Sequence, residues 1–382
     1  DASTSIPLNI PPGRNGMQPN ISLGYNSSNP GGYVGVGWSI PISTISVSTK
    51  WGVPMYDGEI ETEVYALDGE DLTMEGGFKP NRYNSSGDQQ RKKGMVVFFE
   101  RTRGGWKKIE RIGDTPSQYV WVITDENNTR FFYGTDNGED VSNNATLRAD
   151  VTEGDIAQWN LSRIEDQWGN VIVYHYEKGI YHEVDNTLDQ GQWIYPGYIE
   201  YTGYNQGGTY IPGQNKVRFE YSSTKRSDAR TNLRYGFKVT DFKLLSKIHI
   251  EHVSSTNAVT EIREYQLDYD QSSYLRNRLS RFTESVNGSE FYSNTFEYFD
   301  DEVQYSSATD SISVQGLYVP NNDDQEIDRD DEGTSGIPTK FSPLGGSFNE
   351  HYNVGAYLGA GIGSIHPYSK GLTLGGGTYF GL

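Results

Sequence analysis

The sequence predicts an all-β chain: an extended, curved antiparallel sheet of hairpins with little helix. Three observations carry this. Apolar and polar residues alternate with period two in segment after segment, turn residues punctuate the chain every few positions, and aromatic residues are abundant (28 Tyr, 15 Phe, 7 Trp). Apolar content is only 34%, with 44 glycines and no long amphipathic run, so helices have little to form from. At 382 residues the chain is long enough for two or three domains or one large β structure.

The densest pattern spans residues 11–40. Pro12 presets φ for a turn, Gly13 and Gly16 tolerate positive φ, and Asn15-Gly16 is the dipeptide preferred by type I′ turns, so the chain should reverse around Arg14. Ile21, Leu23 and Tyr25 then alternate with Ser22, Gly24 and Asn26, as in a strand with one buried face. After a second turn at Asn29-Pro30-Gly31-Gly32, a further strand should place Val34, Val36 and Trp38 on one side. Its other side carries Tyr33, Gly35 and Gly37, where bare backbone can lie close to another segment.

Ile40, Ile42, Ile45 and Val47 form a β-branched run, and Tyr56-Asp57-Gly58 and Leu67-Asp68-Gly69 read as Asp-Gly hairpin turns. Residues 79–93 are polar and read as an exposed loop, followed by strands at 95–100 and 106–112. Arg91, Lys92, Lys93, Arg101, Arg103, Lys107 and Lys108 are the one local excess of positive charge and read as a solvated face.

Degenerate hairpins follow. Residues 119–125 turn through Asn127-Asn128 into 130–134, and Leu161-Ser162-Arg163-Ile164 turns through Trp168-Gly169-Asn170 into 171–176. The same opening recurs as Leu245-Ser246-Lys247-Ile248 and as Leu279-Ser280-Arg281-Phe282, the latter reaching residues 296–300 after Asn287-Gly288. Val217, Phe219 and Tyr221 oppose Lys216, Arg218 and Glu220, while Tyr265, Leu267 and Tyr269 oppose Glu264, Gln266 and Asp268, giving one dry face and one wet. A lone hairpin cannot bury its aromatic face, so these should lie side by side in one sheet.

The run at 11–40 resembles the signature of the SpvB-like domain that begins the B component of insecticidal Tc toxin complexes and many Rhs/YD-repeat shell proteins. That signature reads proline-glycine-arginine-x-glycine, then glutamine-proline-x-leucine-x-leucine-x-tyrosine, then glycine-x-glycine-tryptophan-serine. Here these are Pro12, Gly13, Arg14 and Gly16, then Gln18, Pro19, Leu23 and Tyr25, then Gly35, Gly37 and Trp38, with Ile21 in place of the first leucine. Tyr56, Asp57 and Gly58 continue it, as does Leu67-Asp68-Gly69, and the later hairpins resemble YD repeats. The resemblance implies a partial Rhs-type β shell: the sheet would be the wall of a hollow structure holding a toxic C-terminal fragment. It implies as partners the downstream Rhs and propeller parts of the same polypeptide and other toxin-complex subunits, and a secreted or cell-surface bacterial location. The expected layout is a wall domain at 1–304, an acidic linker or loop at 305–343 and a glycine-rich β segment at 344–382 leading towards a further domain.

A formal charge of -19 argues against nucleic acid or anionic membrane as partners, because phosphate binding needs a basic patch. With no cysteine, disulfides, thiolate metal sites and cysteine nucleophiles are excluded. No charged and apolar leader or stretch of about 20 apolar residues is present, and a chain opening at Asp1 is expected to be a mature or excised piece. The stretch 323–332 carries seven carboxylates; Asp328, Asp330 and Glu332 alternate before Gly333, but Thr339 and Lys340 stand where an EF-hand needs its bidentate acid, so a linker is the plainer reading.

No catalytic, cofactor or metal residues are assigned. His175, His182, His249, His252, His351 and His366 sit in no nucleophile setting, and His249 and His252, three apart on a strand, point to opposite faces. In the resembled family an ADP-ribosyltransferase, where present, occupies the C-terminal part and carries an arginine, Ser-Thr-Ser and a glutamate-x-glutamate. Ser3-Thr4-Ser5 lacks the arginine, and Glu59-Ile60-Glu61 reads as coincidence. The expected function is therefore a non-catalytic scaffold. The competing reading is a secreted adhesin or glycan-binding module using Trp106, Trp121, Trp168 and Trp193; a glycoside-processing enzyme would need two converging carboxylates in a cleft.

Overall fold

The computed structural model describes residues 2–77, 80, 90–102, 105–139, 145–150, 154–183, 186–298, 372–374 and 378–380. The chain is all-β, with one 3-10 turn at Glu75–Gly77 as its only helical element among the described residues. It divides into two units, Asp1–Glu302 and Val303–Leu382.

In the first unit, β1 (Ser3–Pro7), β2 (Ser22–Asn26) and β3 (Trp38–Ser39) form a small antiparallel sheet. An antiparallel meander follows: β4 (Thr44–Val47), β5 (Tyr65–Leu67), β6 (Glu70–Met74), β7 (Met95–Glu100), β8 (Lys107–Ile112), β9 (Val120–Asp125) and β10 (Arg130–Tyr133). A short β11 (Thr146–Arg148) leads into β12 (Ile156–Glu165), which pairs with both β10 and β4 and so closes these eight strands into a barrel. The junction is a switch of partner along β12. The Asn160 N–H and C=O both face one edge, bonding Ala145 O and Gly134 N, while the Leu161 N–H bonds Ser43 O on the other.

Beyond the junction the C-terminal end of β12 carries a second sheet. It runs through β13 (Asn170–Glu183), β14 (Asn186–Gln206) and its short hairpin partner β15 (Thr209–Ile211) to β16 (Asn215–Tyr221). A side hairpin of β17 (Arg230–Asn232) and β18 (Val239–Asp241) intervenes, and the sheet continues as β19 (Leu245–Val253), β20 (Val259–Gln271), β21 (Asn277–Val286) and β22 (Ser289–Thr295). The expected single open sheet is thus a closed barrel joined to a sheet, because alternation reports which face is dry but not which strand is the neighbour. One contiguous core runs from Leu23, Val34 and Trp38 through the barrel residues Trp121 and Trp159 to Leu245, Leu279 and Phe282. In the second unit β23 (Leu372–Leu374) pairs antiparallel with β24 (Thr378–Phe380).

The recurrent Leu-Ser opening has a structural meaning: each serine is the extra residue of a β-bulge. Phe132 and Tyr133 oppose Arg163 and Leu161, Glu220 and Tyr221 oppose Lys247 and Leu245, and Asp268 and Tyr269 oppose Arg281 and Leu279, skipping Ser162, Ser246 and Ser280. Their hydroxyls donate to Phe132 O, Glu220 O and Asp268 O at 2.9–3.0 Å, satisfying a carbonyl the bulge disturbs. The three leucines are buried, and each leucine carbonyl accepts a hydroxyl from a tyrosine further along: Tyr176 on Leu161, Tyr269 on Leu245 and Tyr298 on Leu279, at 2.5–2.7 Å. One tetrapeptide therefore sets a bend, a core contact and a tyrosine anchor.

Four hairpin loops share one design. The fourth residue, Asn128, Gly169, Asn257 or Leu275, has positive φ and donates its N–H to the carbonyl of the first, Asp125, Asp166, Ser254 or Ser272. The first side chain in turn accepts the N–H of the fifth residue. Leu275 is the misfit, at φ 57 with its side chain exposed. Leu275→Asn should relieve the left-handed strain without losing packing and raise stability by about 0.5–1 kcal/mol, read from the urea midpoint at constant slope.

Two expected elements differ. Residues 33–37 are not a strand: Gly32 bridges Gly35 across a tight turn, Gly35 and Gly37 have φ 87 and 81, and only Trp38–Ser39 is extended. Tyr56-Asp57-Gly58 is not a hairpin turn either. Tyr56 takes the positive φ, and the Asp57 carboxylate accepts the N–H groups of Glu59 and Ile60 instead. The Asn15-Gly16 turn and the Asp68-Gly69 turn between β5 and β6 have both central φ positive, as type I′ requires. The calcium candidates Asp328, Asp330 and Glu332, with Gly333, Thr339 and Lys340, lie outside the described residues, as do most of the 79–93 loop, Arg103, His351, His366 and nearly all of 305–382.

Candidate functional site

The signature residues fall into three groups, and each fastens one part of the first unit to another. At the first turn the Gly13 N–H donates to Gln18 Oε1, and a Cβ on Gly13 would lie only 1.7 Å from Met17 O. Pro12 and Gly16 are exposed in the same turn and Pro19 is buried. The Arg14 guanidinium stacks over the Tyr204 ring at 4.1 Å, and the Tyr201 hydroxyl donates to Pro11 O, so this turn sits on β14.

The second group sits against β20 and β21. Leu23 and Trp38 are buried, and Tyr25 packs on Trp38 with ring centroids 5.1 Å apart. Trp38 also meets Phe296 at 4.5 Å and donates its indole N–H to the Tyr298 hydroxyl at 2.7 Å. A Cβ on Gly37 would collide with the Tyr25 ring, and one on Gly35 would stand 2.9 Å from Asn277 O, whose carbonyl accepts the Val36 N–H. Of the two glycines expected to lie against another backbone, Gly35 does so, while Gly37 lies against the Tyr25 ring. The intervening turn is clasped by Arg226 on Gly32 O, Arg230 on Pro30 O and Gly31 O, and Arg276 on Pro30 O, at 2.7–2.9 Å.

Arg226 is oriented by Asp228 at 2.6 Å, and Asp228 also accepts the Asn277 backbone N–H. Burial alone would raise the Asp228 pKa, but the bonds from Arg226 and Asn277 outweigh it and hold the carboxyl well below the usual carboxylate range. The folded value being the lower one, the clasp contributes its stability above the unfolded value of about 4 and loses it as pH falls further. Asp228→Asn should therefore unfold more readily than the parent at pH 7, and the gap in urea midpoint should narrow towards pH 3.

The third group surrounds a buried ion cluster at the barrel. Arg91 donates from Nε to Asp57 O at 2.7 Å, from Nη1 to Glu61 Oε1 at 3.1 Å and from Nη2 to Glu63 Oε2 at 2.8 Å. Arg111, on the inward face of β8 beside Ile109, grips both oxygens of Glu61, at 2.6 and 3.0 Å. Glu63 accepts the Tyr56 N–H at 2.8 Å, and the Tyr56 hydroxyl reaches Tyr235 O. Asp57 itself lies at the surface, its carboxyl held low by the Glu59 and Ile60 N–H groups, and Gly58 is exposed beside it. The reading of Arg91 as part of a solvated basic face is corrected: its charge is buried because two carboxylates reach it from 30 and 28 residues away. Glu61, which accepts from both arginines, is the centre of that cluster.

Of the candidate glycan-platform tryptophans, Trp106 and Trp168 are exposed, but Trp121 is fully buried between Tyr65, Phe98 and Trp159. An 810 Å³ surface cleft lies between β4 and the 234–235 loop, lined by Ser46, Ser48, Lys50 and Tyr235, with Asp68 its carboxylate among the described residues.

A family model described as SpvB, Salmonella virulence plasmid 65kDa B protein, matches residues 1–195. Two proteins called mono(ADP-ribosyl)transferase SpvB, from Salmonella choleraesuis (strain SC-B67) and Salmonella enteritidis, are 29% identical over 182 residues. That match takes in 46% of this chain and 29% of each relative, so the chain spans less than a third of their length. The N-terminal domain of effector protein SpvB from Salmonella typhimurium strain LT2 has the same fold, with TM-score 0.58 and 19% identity over 78% of this chain and 99% of that one. A TcdB2-TccC3 complex matches with TM-score 0.60 and 20% identity over 74% of this chain and 15% of the other. The Photorhabdus luminescens Tc holotoxin pore matches at 0.58 and 20%, over 74% and 14%.

Proposed function

The chain belongs to the SpvB family, and from that premise we propose that it is a non-catalytic scaffold: the N-terminal wall segment of a secreted, toxin-type β shell of the Rhs/Tc kind. In this reading residues 1–304 are the wall, 305–343 an acidic linker and 344–382 a glycine-rich stretch leading towards further domains. Its partners are the downstream parts of its own polypeptide and other toxin-complex subunits.

The observation that carries the proposal is the way the second sheet ends. The main strands of the second sheet, β13, β14, β16, β19, β20 and β21, each pair with a neighbour on both sides, but among the described residues β22 pairs with β21 alone, and Phe291 and Tyr292 stand exposed on it. Such an open edge invites another strand. The Leu-Ser bulges support the same reading, because a bend repeated from hairpin to hairpin can be extended by more hairpins of the same kind. Producing the chain alone and together with the polypeptide that follows it tests this. Association of the two into one stable particle is expected; two independently monodisperse species with no mutual affinity would refute it.

A further inference from the structure

We propose that His249, Glu261 and Glu264, on the outer face of the second sheet, form a binding site for one divalent transition cation of the zinc class. The site rests on observations apart from those that support the shell reading. His249 lies across from Glu264 in the β19–β20 ladder. Glu261 would ordinarily face the other way, being three residues from Glu264, but a bulge intervenes. Ile250 opposes Arg263 and Glu251 opposes Glu261, so Ile262 is the extra residue and Glu261 turns to the His249 side.

The result is one imidazole nitrogen and two carboxylate oxygens within 4.8 Å of one another. Nδ1 of His249 lies 2.6 Å from Glu261 Oε2 and 3.7 Å from Glu264 Oε2. On the opposite side of the ring, Nε2 lies 3.1 Å from Glu220 Oε2 on β16. His249 meets a carboxylate at each ring nitrogen; in the tautomer that donates Nε2–H to Glu220, one of the two the geometry allows, the Nδ1 lone pair faces two carboxylates with no second N–H to give. A cation at Nδ1 resolves that conflict, and a metal-bound histidine that donates its other N–H to a carboxylate is the usual supporting arrangement at protein metal sites. The His249 side chain is 7% exposed, which fixes the ring, whereas Glu261 and Glu264 are 45% and 21% exposed and leave an open side for water ligands. One nitrogen and two carboxylates suit zinc better than calcium or magnesium, which favour all-oxygen sets. Lys247 already sits on Glu264 at 3.0 Å and competes for it, so the affinity should be moderate. The ion would tie β19 to β20, with β16 holding the ring.

Titration of the 382-residue chain with ZnCl2 by calorimetry should show one saturable site, and Co²⁺ should give visible d–d absorption that Zn²⁺ abolishes. His249→Ala should remove both signals, and Glu261→Gln and Glu264→Gln should each weaken binding at least tenfold. Glu220→Gln, which leaves every ligand in place, should weaken it about 10–100-fold. Unchanged circular dichroism of the variants shows that loss is not unfolding, and a His252→Ala variant should bind as the parent does. Absence of saturable binding at millimolar zinc, or binding that survives His249→Ala, would overturn the proposal.

Discussion

Arg111→Ala is expected to destabilise the first unit by about 3–5 kcal/mol, because it leaves the Glu61 carboxylate in the barrel interior with half its partners gone. Arg111, Arg91, Glu61 and Glu63 all have side chains essentially closed to solvent, so water cannot replace the lost guanidinium. Much of the effect is the cost of an uncompensated buried charge, not the net worth of the pair. Arg111→Ala combined with Glu61→Gln should therefore recover part of the loss. Arg111→Lys should fall between, since an ammonium cannot reproduce the two-oxygen grip. Urea unfolding of the four proteins checks the order; an Arg111→Ala midpoint within error of the parent would mean the cluster is not closed to water.

Trp38→Ala should cost a similar amount, about 3–5 kcal/mol, through loss of a large buried ring and the cavity it leaves. The effect should be local as well as large. Trp38 joins Tyr25 of β2 to Phe296 and Tyr298, which follow β22, so its removal loosens the N-terminal sheet from the last hairpin of the unit. Trp38→Phe should retain most of the packing and lose chiefly the indole bond to Tyr298, about 1 kcal/mol. Proteolysis within residues 1–40 should accelerate in Trp38→Ala and hardly at all in Trp38→Phe.

What the sequence makes legible is what is decided between near neighbours. Asn15-Gly16 and Asp68-Gly69 declare their turns because positive φ is a property of one or two residues. The dry face of Val217 and Phe219 shows in alternation alone. The Leu-Ser openings are visible as repeats, although nothing local says that the serine is a bulge; that follows only from its partner strand. Barrel closure is hidden for the same reason, since it depends on Thr44 meeting Asn160 across 116 residues.

The ion cluster is hidden in the sequence because Arg91 sits in a polar run beside Lys92 and Lys93, while the acids that bury it lie on another segment. The His249 grouping is hidden for a different reason. Spacing on an ideal strand sends Glu261 and Glu264 to opposite faces, and the bulge at Ile262 cancels that rule. Among the signature residues, the glycines were the most informative: Gly13, Gly35 and Gly37 each mark a place where no side chain fits.

If the second sheet continues into further hairpins, amide hydrogen exchange across Ser289–Thr295 should report it. In the 382-residue chain alone, the β22 amides that point away from β21 should exchange quickly; when the chain is produced joined to the downstream hairpins that the proposed shell requires, they should be protected at least tenfold. Equal exchange in both, with the outer edge of β22 open in the longer protein, would contradict the account.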